Sequence, residues 1–78
     1  MNYVVRFLYN GKEYSAPANS EQFSVELKAG TADIIIRDCA ENVAKDYLEK
    51  NGLRKEGCSI KRLQMQDENG KLIYAAQE

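Results

Sequence analysis

Seventy-eight residues, 44% apolar and 29% charged with a formal charge of −1, suit one small domain with a single core and contain no apolar run long enough to span a bilayer. With no histidine and only two cysteines, the chain lacks the usual general base and the ligands of a Cys/His metal centre, and no disulfide framework is implied. Met1 to Arg6 lack the basic and apolar regions of a signal peptide, so the expectation is a single domain over residues 1–78, cytoplasmic and without metal, cofactor or membrane association.

Three Asn-Gly dipeptides, at 10–11, 51–52 and 69–70, mark places where the chain turns, because Asn and Gly tolerate the positive φ that tight hairpins and helix ends require. The β-branched and aromatic run Tyr3 to Tyr9, then Asn10-Gly11, then Lys12 to Ala16 predicts a hairpin with a type I′ turn. A two-residue loop flanked by Tyr9 and Lys12 sets Phe7 opposite Tyr14 and Val5 opposite Ala16. Tyr3, Val5, Phe7, Tyr14 and Ala16 then share an apolar core face, with Val4, Arg6, Leu8, Glu13 and Ser15 on the other. Pro17 is expected to end the second strand, since it has no N–H for the ladder. After a polar connection, the alternation of Phe23, Val25 and Leu27 predicts a third strand.

From Thr31 the period changes. Ala32, Ile36, Cys39, Ala40, Val43, Tyr47 and Leu48 recur at three and four residues, the pattern of an amphipathic helix lying on a sheet. Thr31 is the expected cap, Asp33 suits the first turn, and Asn51-Gly52 is the left-handed stop. The β propensity of Ile34-Ile35-Ile36 allows a second version, a hairpin over 23–37 through Gly30 with a helix only over 39–51. Ser59 to Gln66 predicts a strand whose apolar phase slips between Ile60 and Leu63, the mark of a bulge. Asp67 to Gly70 turn the chain, and Lys71 to Ala76 return with Leu72 and Tyr74 on one face. The expected fold is α+β: a five-stranded antiparallel or mixed sheet in the order β-β-β-α-β-β, with one amphipathic helix packed on one face.

Little in the chain points to catalysis. Cys39 lies beside Asp38 and Glu41, which oppose thiolate formation, and Asp67 and Glu68 are explained as turn residues. The glycines sit at element boundaries rather than grouped around a phosphate. The reading is therefore a non-enzymatic accessory or adaptor-type domain that acts by binding another protein or a second copy of itself. With a single helix, one sheet face and the edges stay free, and Val4, Leu8 and Tyr9 are the candidate contacts.

The alternative partner is nucleic acid. Residues 50–62 hold five cations against one acid, and Arg54, Lys55, Lys61 and Arg62 form the candidate phosphate-binding patch beyond Lys50 at the helix end. A third option is an acidic helix, with Asp33, Asp38, Glu41, Asp46 and Glu49, that imitates phosphates to inhibit a nucleic-acid enzyme, although Arg37 and Lys45 interrupt it. Strand-helix-hairpin domains of this size resemble small accessory proteins of phages and other mobile elements. The hairpin-helix-hairpin order also looks loosely like ubiquitin-like folds, from which the strand at Phe23 to Leu27 departs.

Overall fold

A computed structural model describes residues 2–19, 21, 27 and 31–76. Its elements are β1 (Asn2–Tyr9), β2 (Lys12–Asn19), α1 (Asp33–Lys50), β3 (Lys61–Asp67) and β4 (Leu72–Ala75). The α+β class, the antiparallel sheet and the single helix are as expected, but among the described residues the sheet has four strands rather than five, in the order β2-β1-β3-β4. The expected strand at Phe23 to Leu27 falls outside the described residues except for Leu27, which is buried in the core. β1 pairs antiparallel with both β2 and β3, so the parallel pairing of first and last strands that marks ubiquitin-like folds is not formed.

The first hairpin has the register that its turn dictates. Phe7 pairs with Tyr14 and Val5 with Ala16, and Asn10 and Gly11 both take positive φ, 51° and 77°. Phe7 and Tyr14 stack with centroids 5.6 Å apart, and Tyr47 of α1 meets Phe7 edge-on at 6.2 Å, so aromatic contacts fasten helix to hairpin. Pro17 does not end β2, which runs on to Asn19. Because Tyr9 and Lys12 close a two-residue turn, alternation makes Val4 and Pro17 a non-hydrogen-bonded pair, and the missing N–H lies on the outer side of an edge strand.

The longer helix is the one formed. Ile36, Ala40, Ala44 and Leu48 make a buried stripe at four-residue spacing, and the two alanines let the backbone come close to the sheet. Tertiary packing overrides the β propensity of the isoleucine run: Ile36 is buried, whereas Ile34 and Ile35 face outward. The residue at the N-cap is Ala32 rather than Thr31, and it offers no side-chain acceptor, although its carbonyl accepts from the Ile35 and Ile36 N–H groups. At the other end the Leu53 N–H donates to the Leu48 carbonyl at 2.8 Å and the Gly52 N–H to the Glu49 carbonyl at 3.2 Å. With Gly52 at φ 64°, this is a Schellman stop.

β3 carries the expected bulge. Arg6 opposes Gln64 but Leu8 opposes Lys61, so β3 holds one residue more than β1 over this stretch, and Arg62 adopts a left-handed φ of 53°. The extra residue lets Ile60 and Leu63, three apart, both pack on the core. A second irregularity separates Met65–Tyr74 from Gln66–Leu72, which splits the pair expected on one face: Tyr74 packs on the core and Leu72 lies on the opposite side. In the β3–β4 turn Asp67 Oδ1 accepts the N–H groups of Asn69 and Lys71, both at 2.9 Å, so this carboxylate is a turn clamp.

Tyr9 holds the long connection between α1 and β3. Only 4% exposed, it directs its hydroxyl at Lys55, donating to the carbonyl at 3.0 Å and accepting from the N–H at 2.8 Å. Tyr9→Phe leaves both Lys55 groups without that partner and is expected to lower stability by about 1–2 kcal/mol, read as a lower urea midpoint at unchanged m value. An unchanged midpoint would show that the phenol is dispensable.

Candidate functional site

α1 covers one face of the sheet, and no described element lies over the other. Strand parity decides what each face carries. The described aromatic side chains Tyr3, Phe7, Tyr9, Tyr14, Tyr47 and Tyr74 all belong to the core cluster or pack against it. The open face instead carries Val4, Arg6 and Leu8 from β1, Glu13, Ser15 and Pro17 from β2, Gln64 and Gln66 from β3, and Leu72 from β4. Val4 and Leu8 are half-buried among their neighbours, while Leu72 is 48% exposed.

The structure redistributes the candidate residues. Val4 and Leu8 share the open face as expected, but Tyr9 does not join them: odd parity with Tyr3, Val5 and Phe7 puts it on the core side, and its hydroxyl is committed to Lys55. The basic group divides. Lys61 opposes Leu8, and Arg62 lines a hollow of about 170 Å³ with Arg6, Leu8, Glu13 and Gln64. Arg54 and Lys55 lie in the connection after α1, where Arg54 borders a different cleft, on the helix side of the sheet. Two residue groups that the linear sequence keeps apart, Val4 with Leu8 and Lys61 with Arg62, therefore meet on one surface. Arg6, next to both, completes a group of three cations opposed by Glu13.

Arg62 occupies a backbone region that favours glycine, at a cost of about 1–2 kcal/mol for an ordinary L-residue. Strain of this kind persists only where surrounding structure imposes it, and it is common at binding sites. Arg62→Gly is expected to be more stable than Arg62→Ala by about 1 kcal/mol in urea unfolding, since only alanine retains the strain. Equal midpoints would mean that the bulge carries no such cost.

The second cavity, about 320 Å³, lies between α1, the connection at residues 54–60 and the ends of β3 and β4. Arg37, Glu41 and Lys45 form one flank at four-residue spacing along α1, and Arg54 stands on the connection. Arg37 and Lys45 look in the sequence like breaks in an acidic helix. Their spacing of eight, which places them on one stripe, is the signal that identifies them as a flank. Cys58 borders the same cleft and donates to Asn10 Oδ1 at 3.6 Å, a second tie between this connection and the first hairpin.

Cys39 is half-buried on α1; burial pushes its thiol above the ordinary value and the Asp38 carboxylate adds to the rise. It therefore has the opposite of a nucleophile's environment. Iodoacetamide is expected to alkylate Cys39 more slowly in the folded chain at neutral pH than in the same chain in urea, followed by peptide mass mapping, and equal rates would contradict a protonated, sheltered thiol.

Among the described residues no cluster of three or more Cys, Asp and Glu side chains could hold a metal, and no helix is long and apolar enough to cross a membrane. Comparison of the chain with protein-family models, curated proteins and solved structures finds no match to any of them.

Proposed function

We propose that this protein is a non-catalytic binding domain whose open sheet face receives an acidic, aliphatic segment of another protein. The observation that carries this reading is the meeting of Val4 and Leu8 with Arg6, Lys61 and Arg62, with Leu72 beyond Gln66 on the same face, which no described element covers. Half-buried aliphatic groups give a partner surface to desolvate, and cations around them select its charge and orient its approach. The strained Arg62 and the hollow it lines with Arg6 and Glu13 make the bulge the centre of the contact. Face-to-face pairing with a second copy is opposed by the like charges that both copies would bring. The two free cysteines fit the cytoplasmic setting expected from the sequence.

The three cations also favour a second reading, contact with nucleic-acid phosphates. Against it, the described aromatic side chains lie on the helix side, which leaves the open face without a ring on which a base can stack.

Panning of a random peptide library displayed on phage against the folded protein is expected to enrich Asp- and Glu-rich sequences with aliphatic residues. Synthetic peptides from that selection should lose affinity about tenfold or more with Leu8→Glu or Arg62→Glu, while Tyr9→Phe leaves their affinity unchanged. Peptides that bind these variants as well as the parent would remove the open face as the site. In fluorescence anisotropy, labelled single- and double-stranded DNA and RNA should show no saturable binding at physiological salt. Saturable, salt-sensitive binding lost in Arg62→Glu would replace the protein partner with nucleic acid.

A further inference from the structure

We propose that the cleft between α1 and the β3–β4 side of the sheet is a binding site for a small organic anion, a carboxylate or phosphate head on an apolar body. It lies on the opposite side of the sheet from the open face, so it shares no wall with that surface and stands independently of the protein-binding reading.

Its volume of about 320 Å³ falls at the small-ligand end of the usual range, about 300–1,000 Å³. Part of its floor is apolar: Leu48 and Leu63 are buried core residues, and Ile60 and Tyr74 are half-buried against the core, while Ser59 and Cys58 add polar groups to the wall. The border is cationic, with Arg37 and Lys45 on α1 and Arg54 facing them from the connection, against Glu41 alone. Glu41 is only loosely engaged, its Oε1 lying 3.9 Å from Arg37 Nε, and Arg37 is likewise 3.8 Å from Asp38. Neither Lys45 nor Arg54 has a carboxylate of a described residue within ion-pair distance. Lys45 and Arg54, with the loosely paired Arg37, stand beside an apolar floor and provide charge-assisted hydrogen bonds for a head group and a place to bury its tail. One carboxylate among three cations is the wrong balance for a metal ion, which needs several oxygen or sulfur ligands.

The cleft is also held in shape. The Schellman stop fixes the path out of α1, the Tyr9 hydroxyl clamps the backbone of Lys55 beside Arg54, and Cys58 is tied to Asn10. A border residue on a connection clamped at these points costs less to order on binding than one on a free loop.

The test is a titration of the full ¹⁵N-labelled chain with octanoate and octyl phosphate, with octanol as the neutral control. The expected result is saturable amide shifts confined to the cleft, at Leu48, Ser59, Ile60 and Ala76, with octanol at least about tenfold weaker. The double variant Lys45→Glu with Arg54→Glu should weaken both anions by about tenfold or more. Both residues are exposed, so the variant is expected to fold; if its spectrum loses dispersion, Lys45→Gln with Arg54→Gln decides in its place. Shifts that are absent or scattered outside the cleft, equal binding of octanol, or unchanged affinity in the folded variant would each overturn the proposal.

Discussion

One backbone torsion, the left-handed φ of Arg62, governs how the second half of this chain fits on the first. The bulge gives β3 one residue more than β1 over the same length, so Ile60 and Leu63 both reach the core although their spacing does not suit a regular strand. In an unbulged strand one of them would turn outward, since a one-residue slip reverses every side chain beyond it. The same irregularity sets Lys61 and Arg62 beside Arg6 on the uncovered face. Core packing and surface charge are thus coupled through a single residue.

A single helix can cover only one face of a sheet, and this chain sorts its side chains accordingly. The described aromatic groups gather on the helix side, where Phe7, Tyr14 and Tyr47 interlock the first hairpin with α1. Ala40 and Ala44, both fully buried, are small enough to let the helix backbone lie close to the strands. The outer face keeps small, polar and aliphatic residues, and the positive charge divides between that face and the flank of α1.

Much of the architecture was legible in local features. Asn10-Gly11 allows only a two-residue turn, which settles the pairing of Phe7 with Tyr14, and Asn51-Gly52 ends α1 where a Schellman motif forms. The phase slip between Ile60 and Leu63 announced the bulge. Features that depend on distant partners were not legible. Tyr9 looked like a turn-flanking surface residue because its hydrogen-bonding partner is the backbone of Lys55, and backbone partners leave no mark in a sequence. Its parity with Tyr3, Val5 and Phe7 was the available clue. Leu72 and Tyr74 alternate as if on one face until an irregularity in the β3–β4 pairing divides them. Val4 and Leu8 could be placed on an outer face from their alternation alone. Their meeting with Lys61 and Arg62 required the pairing of β1 with β3, segments more than fifty residues apart.

Pro17 has a consequence for how the molecule associates. An edge strand with a full row of outward N–H and C=O groups is a template for strand addition, whether by a ligand peptide or by a misfolded neighbour. β2 interrupts that row with a ring in place of a donor, and Lys12 and Glu13 place charge at its start. The opposite edge, β4, is only four residues long and irregularly paired, too short to offer a continuous ladder. Both margins of the sheet thus resist lengthening by a further strand, while the face away from α1 has no described element over it.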